Sequence, residues 1–597
     1  MYTLTLLRKI YAVISSDLRW RTVFLILGMI VTGLMEMILA GTISLLGMVL
    51  ANPESIQHID IVMCLYNFFF HSQGGASPPL QMLLLILVLV TLASAAKNLS
   101  SAVLTYQQTN ISYSIAWNIA MRAFANYLSA PFTWHIQQNT SDLNTYIIWR
   151  TNIGIYCQCA MVIISQFAIT FLLMIGTFIL APRIAPLFFF SAGLTALLIY
   201  VFTKRKAQQC GEVMRRINIS ANKLSLSALQ GIREVQIYNQ QNSFRKAFND
   251  HAPESIRTSI MQSIYLPLPS WVLETIGMLL LLLIVLVMVH FNTSFVEISG
   301  ILTLMAAVSW RILPAVTKIA GNILQLKIYY AQVESVVEHA QLSVAHHVLE
   351  PHTTHEFCHS LELRNLSFRY PHAEQPALAD ISLSVQKGMM AGFVGASGAG
   401  KTTLVGLLTG LISPQSGEIV VDGIPVKPGP GYLRIGYVPQ NPYIMDATLA
   451  ENLAFSAYGQ KPDLQRVIEC CDMAAMDFLK DLPDGIHTIL GERGVRLSGG
   501  QVQRVAIARA IYNYPDILVF DEATSALDGA AEAAIQNTIL SLGKGMTIII
   551  VAHRLVTVEP CDVLFWLKDG IIYRQGNTQK VLSDYKEFLR ANPLQAC

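Results

Sequence analysis

Over the first three hundred or so positions the apolar residues come in long unbroken runs rather than alternations. Six of these runs, at about residues 22–50, 80–105, 155–181, 184–203, 270–290 and 295–318, are long enough to cross about 30 Å of hydrocarbon as helices. The polar positions between them are unequal. The 52–79 and 291–294 connections carry no Lys or Arg and 182–183 carries only Arg183, whereas 204–257 carries ten. Short connections rich in Lys and Arg stay on the cytoplasmic side. This predicts a multi-pass protein of the cytoplasmic membrane with its N-terminus, the 106–154 and 204–269 segments and everything after 319 in the cytoplasm. Those two long segments have helical composition with almost no glycine, so the membrane helices are expected to continue well beyond the bilayer as pairs joined by distant turns.

After a polar stretch at 341–357, rich in His and holding Pro351, the pattern changes to short apolar strands alternating with helical segments, as in an α/β domain. The predicted organisation is a membrane domain over 1–340, a linker over 341–357 and a soluble domain over 358–597. A strand ending at Val394 runs into Gly395-Ala396-Ser397-Gly398-Ala399-Gly400-Lys401-Thr402 and then a helix. This is a P-loop in its proper context. Its glycines let backbone N–H groups wrap phosphates, aided by the helix N-terminus. Lys401 would lie on the β- and γ-phosphates of ATP and the Thr402 hydroxyl on Mg²⁺. A second strand, Ile517-Leu518-Val519-Phe520, delivers Asp521 toward the metal and Glu522 toward the attacking water.

Composition agrees with this division. Of 597 residues, 53% are hydrophobic and only 13% charged, about half the usual charged share of a globular protein. Residues 1–340 carry net +8 and 341–597 net −6. Neither part has the clustered basic stripe of a nucleic-acid binder. The nine cysteines are scattered, and the close pairs Cys157/Cys159 and Cys470/Cys471 lack the second half of a zinc site, so they read as reduced packing residues. The first apolar run follows Arg8, Lys9, Arg19 and Arg21 and outlasts a signal-peptide core, so it is expected to remain in the mature protein.

Between the two nucleotide motifs lies Leu497-Ser498-Gly499-Gly500-Gln501, the signature of ATP-binding cassette (ABC) transporters. The chain resembles that family along its whole length, in the order of an exporter half-transporter: six helical spans, then one α/β P-loop nucleotide-binding domain. The resemblance assigns Tyr370 as the adenine-stacking aromatic, Gln440 as the Q-loop glutamine and metal neighbour, Asp528 as the D-loop residue and His553 as the switch histidine. Thr488 to Gly494 resembles a segment of its exporters. The resemblance implies two cassettes head to tail, each ATP lying between Gly395–Thr403 of one chain and Ser498–Gln501 of the other. Glu522, His553 and Lys401 would be catalytic. Thr402, Gln440 and Asp521 would hold Mg²⁺. A homodimer is the simplest assembly, with a heterodimer left open. The turns at Phe132–Ser141 and Gly231–Asn239 would be coupling helices seated on the cassettes near Gln440 and Glu492.

Charges inside apolar runs point to the cargo site. Glu36, Lys97, Glu274 and Arg311 are such charges. Lys97 and Arg311 fall at similar depth, about 25 Å from the outer start of their runs, where two cations would receive an anionic headgroup; the alternative is that both snorkel, or pair with Glu274 inside the bundle. Ser309–Pro314, Glu36 and the apolar connection Met63–Phe70 resemble the lipid-linked oligosaccharide flippases of the family, while Leu268–Trp271 lacks the basic residue expected there. The expected activity is ATP-driven flipping of an amphipathic, anionic, lipid-linked substrate such as a polyprenyl-pyrophosphate oligosaccharide. Export of drugs, lipids or peptides, import on the same scaffold and ATP-gated conduction stay open as alternatives.

Overall fold

The computed structural model describes residues 2–51, 78–180, 185–290, 295–341, 354–371, 373–491, 494–523, 529–543, 545–552 and 554–592. The expected connection Met63–Phe70, Arg183, Pro351, Glu492, Asp528 and His553 lie outside them, as does the side chain of Arg311. The chain divides into two compact units, Met1–Leu128 with Gln138–Ala345 and Ser129–Gln137 with His346–Cys597. The six apolar runs all lie on helices: Ser16–Ala51, Pro78–Ser129, Arg150–Leu180, Ala185–Gln230, Leu268–His290 and Phe295–Gln341. Among the described residues, Ser16–Ile43, Leu83–Ser129 and Thr140–Gly176 are long and apolar enough to cross a membrane.

Pro78–Ser129 spans 52 residues, about 78 Å at 1.5 Å per residue, so roughly half of it lies beyond the bilayer thickness. Its apolar run stops near residue 105 while the helix continues, because lipid demands apolarity and a helix only requires residues that tolerate it. The turns expected at its far end and at that of Ala185–Gln230 each contain a six-residue helix, Phe132–Gln137 and Ile232–Ile237.

Within the helical unit, a Cβ on Gly211 would stand 2.1 Å from the Ile328 carbonyl oxygen. Only glycine allows Ala185–Gln230 to approach Phe295–Gln341 so closely. Ala207, Leu324 and Ile328 seal that contact. Nearby, Asn152 Nδ2 donates to Gln332 Oε1 at 2.6 Å and the Cys159 thiol to Gln325 Oε1 at 2.9 Å.

Among the described residues the second unit holds ten strands: β1 Ser360–Phe368, β2 Leu378–Gln386, β3 Met390–Val394, β4 Ser416–Val421, β5 Ile424–Val426, β6 Ile435–Val438, β7 Ile517–Asp521, β8 Thr547–Val551, β9 Val563–Lys568 and β10 Ile571–Asn577. They form an antiparallel sheet ordered β2-β1-β4-β5 and a six-stranded sheet ordered β10-β9-β3-β8-β7-β6. In the latter, β9, β3, β8, β7 and β6 run parallel. Strands β3, β7 and β8 are buried at every position, which is why they read as unbroken apolar runs. Alternate residues feed opposite faces: Leu518 and Phe520 enter one core, Ile517 and Val519 the other. β3 and β7 therefore end on the same edge of the sheet, where ligands of open α/β sheets collect.

Candidate functional site: the cassette loop, the carboxylate pair and the signature helix

The loop after β3 depends on its glycines for space and for conformation. A Cβ on Gly395 would meet the Leu567 carbonyl oxygen at 2.4 Å, and Gly400 has φ +98°. Gly400 is the N-cap of the helix Lys401–Leu408 and brings no capping side chain. The first-turn N–H groups therefore stay available to an anion. Ser397 and Gly398 are exposed on the loop. Lys401 is only 5% exposed, and its ammonium donates to the carbonyls of Gly395 at 2.9 Å and Ala396 at 3.0 Å. Burial lowers its pKa, against the opposing charges of Glu522 and Asp521. Thr402 is exposed at the start of the helix, whereas Thr403 is buried with its hydroxyl 3.3 Å from that of Tyr370. Tyr370 is half-buried, edge-on to Phe368 at 5.0 Å.

At the end of β7, Asp521 accepts a hydrogen bond from the Tyr437 hydroxyl at 3.2 Å. Burial raises its pKa, with the Tyr437 bond and Lys401 opposing. Glu522 has φ +53° and donates its N–H to the Val551 carbonyl at 2.9 Å. That left-handed turn takes the chain off the strand and sends the Glu522 side chain to Gln440, whose Nε2 donates to Glu522 Oε2 at 2.9 Å. Tyr437 carries no motif of its own. Its sequence signal is its place on a strand three residues before Gln440.

Ser498 is the N-cap of the helix Gly499–Tyr512. The Ser498 hydroxyl accepts from Gln501 N–H at 3.3 Å, and Gln501 Oε1 accepts from Ser498 N–H at 2.8 Å. This capping box orders the signature segment before any ligand arrives. Gly499 and Gly500 open the first turn of this helix. Asp528 and His553 are outside the described residues.

In the membrane unit the charges do not pair as the sequence suggested. Lys97 Nζ lies 2.8 Å from Glu36 Oε1, both side chains largely buried, and Glu274 is exposed. The Lys97 partner is Glu36 on the neighbouring helix rather than Glu274. Thr32 and Ser100 hydroxyls meet at 3.0 Å one turn away along the same two helices. Lys97 is thus a neutralised cation, which corrects the picture of an open cationic pair with Arg311.

Residues 378–525 match the family model described as ABC transporter. Over 501 residues the chain is 30% identical to an ATP-dependent lipid A-core flippase of Alkalilimnicola ehrlichii, covering 79% of this chain and 82% of that one. It is 28% identical over 517 residues to the protein of that name from Pseudomonas fluorescens, covering 85% and 84%. The heterocyst differentiation ATP-binding protein HepA of a Nostoc species is 31% identical over 396 residues, covering 63% and 62%. A solved bacterial Atm1-family ABC exporter with ATP bound shares the fold, with TM-score 0.75 and 23% identity over 97% of this chain and 99% of that one. With a glycine loop, a carboxylate pair and a capped signature helix on one cassette, and sequence likeness that runs on through the membrane helices, this chain belongs to the ABC exporters, as a half-transporter that binds and hydrolyses ATP to drive translocation.

Proposed function

We propose that two copies of the chain pair in the cytoplasmic membrane, cassettes inward, and flip an amphipathic lipid-linked substrate. The arrangement that carries the engine is the Gln440–Glu522 contact at 2.9 Å beside the buried Asp521 and Lys401. Each ATP lies between Gly395, Ser397, Gly398, Gly400, Lys401, Thr402 and Thr403 of one copy and Ser498, Gly499, Gly500 and Gln501 of the other, with Tyr370 against the base. Thr402, Gln440 and Asp521 offer hydroxyl, amide and carboxylate oxygens, a donor set suited to Mg²⁺. Bound there, the ion supplies charge stabilisation at the β- and γ-phosphates. Glu522 orients and deprotonates the attacking water, and Gln440 holds the Glu522 carboxylate in place. His553 and Asp528 complete the two sides of the site.

ATP closes the paired cassettes because it binds the closed form better than the open one, and it shifts the membrane domain only by that difference. Loss of the γ-phosphate removes the difference and resets the pair. Phe132–Gln137 and Ile232–Ile237 carry the movement to the spans. The cytoplasmic placement of the cassette follows from the Lys and Arg count of the 204–257 segment.

The cargo reading rests on the likeness to proteins named lipid A-core flippase across more than four-fifths of their length. With Lys97 neutralised by Glu36, the anionic character of the headgroup falls to Arg311. A polyprenyl-pyrophosphate oligosaccharide remains the candidate to test. In liposomes, labelled lipid-linked glycan should move between leaflets with ATP and stimulate hydrolysis, and Arg311→Ala should reduce both. Unchanged ATPase with glycans and phospholipids alike would overturn the lipid reading. Glu522→Gln should bind ATP normally and lose at least about a hundredfold in turnover. Parental turnover in that variant would show that another group is the base.

A further inference from the structure

Gln440 lies in a segment whose two sides are both tied to the signature helix Gly499–Tyr512. On one side Gln503, 3% exposed, donates Nε2 to the carbonyl of Pro439 at 3.3 Å. On the other side Arg509 donates Nη1 to the carbonyl of Tyr443 at 2.6 Å. The same guanidinium donates Nε to the Asn452 carbonyl at 2.8 Å and Nη2 to Asn452 Oδ1 at 2.9 Å, and it lies 5.1 Å over the ring of Phe455. Asn452 is fully buried and extends the tie. Its Oδ1 accepts from Met445 N–H at 2.9 Å, and its Nδ2 donates to the Met445 and Thr448 carbonyls at 3.1 Å each. Every group that Arg509 holds is a neutral oxygen acceptor. Arg509 is half-buried, and it meets neutral dipoles rather than a counter-charge. The guanidinium fork supplies direction instead: it fixes three acceptors on two segments at once.

Beyond this tie, Gln440 reaches Glu522 at 2.9 Å. Two hydrogen bonds joined by the Pro439–Gln440 peptide link thus run within one chain from the helix that begins at Ser498 to the residue placed beside the attacking water. On the sandwich arrangement proposed above, on which this inference rests, the two ends serve different ATP molecules. Ser498 faces the ATP held by the partner copy, and Gln440 with Glu522 faces the ATP of its own loop. We propose that Gln503 and Arg509 are positioning residues that transmit engagement of the signature helix at one ATP to the placement of Gln440 and Glu522 at the other, making the two sites cooperative. On that arrangement both residues act through Gln440 and Glu522 rather than on nucleotide. They act by permitting Gln440 one position when the helix has closed and another when it has not.

The test uses the full-length protein in liposomes. Gln503→Leu removes the amide and keeps the volume; Arg509→Lys keeps charge and stem but loses the fork. The dependence of hydrolysis on ATP concentration is read in each, together with the thermal midpoint and the occlusion of ATP on a Glu522→Gln background. The expected result is a Hill coefficient that falls to about 1 and an affinity ratio of second to first ATP reduced by at least about fivefold. First-ATP affinity and thermal midpoint should stay parental in Gln503→Leu. Parental cooperativity in Gln503→Leu would overturn the proposal, as would a loss of cooperativity that only tracks a lower midpoint, or a parental protein with no cooperativity. Ser498→Arg separates this failure from failure of the sandwich. If that variant still occludes ATP as the parent does, the sandwich itself is wrong and the tie falls with it. If it abolishes occlusion while Gln503→Leu leaves cooperativity intact, only the tie is wrong.

Discussion

Asp521 and Lys401 are buried charged groups whose energetics oppose folding and serve binding. Asp521 is 6% exposed, and burial is the main cause that lifts its carboxyl pKa above the ordinary value. A carboxyl with a folded pKa above its unfolded one costs stability at pH above the folded value. That cost fades as pH falls through the folded pKa toward the unfolded one. Lys401 has the opposite form, its pKa lowered first by burial. Its cost is present below the folded pKa and is relieved as pH rises from that value to the unfolded one. Where both groups are ionised both costs are carried, and a bound polyanion with its metal would offset them. Asp521→Asn should therefore raise the thermal midpoint of the nucleotide-free protein, by roughly 2 to 4 °C for each kcal/mol relieved. The gain should shrink on acidification, and hydrolysis should fall by at least about a hundredfold. Scanning calorimetry across pH, beside an ATPase assay, checks both halves. A lowered midpoint at neutral pH would mean that Asp521 is worth more to the fold through Tyr437 than it costs by burial.

The signature helix and the first two membrane helices illustrate how elements are held by single polar side chains. Arg466, 9% exposed, donates Nη2 to the Ile511 carbonyl at 2.6 Å and Nε to the Tyr512 carbonyl at 3.1 Å. These are the last carbonyls of the helix Gly499–Tyr512, which have no partner inside it. The guanidinium also stacks on Tyr514 at 3.8 Å. Arg466→Met should cost about 1.5 to 3 kcal/mol and speed amide exchange through the last turn, leaving the Ser498 end protected. In the membrane unit, Ser16–Ala51 and Pro78–Ser129 share the Lys97–Glu36 ion pair and the Thr32–Ser100 bond. Removing one partner of a buried pair leaves an unpaired charge, at about 3 to 5 kcal/mol. Lys97→Met alone should therefore destabilise the detergent-solubilised protein more than Lys97→Met combined with Glu36→Gln. Equal loss in the single and double variants would show that the pair contributes nothing to holding these helices together.

At the scale of the whole molecule, much of the organisation was legible because each part answers to a local requirement. Runs of about 20 apolar residues mark helices long enough for lipid, and the described parts of all six runs lie on helices. Gly395, Gly400 and Lys401 announce a phosphate loop because the geometry of such a loop admits few other residues at that spacing. Ile517–Phe520 read as a buried strand ending in two carboxylates, and the structure has them at that strand end. The two remote turns, at Phe132–Ser141 and Gly231–Asn239, are implied by the family resemblance, and each holds a short helix. The contacts that join these parts were not legible. Nothing near Lys97 in the chain names Glu36 as its partner, and the sequence offers Glu274 instead. Gln440 is legible as a motif residue but its contact to Glu522 is not, and Tyr437, Gln503 and Arg509 carry no motif that would single them out. The sequence by itself determined which segments are helices, strands and phosphate loop, because period, length and glycine placement act over a few residues at a time. Only the tertiary structure decided which buried charges neutralise one another and which helix holds the Gln440 segment, because a long-range pair is chosen by the packing of whole elements, and many partners satisfy the same local pattern.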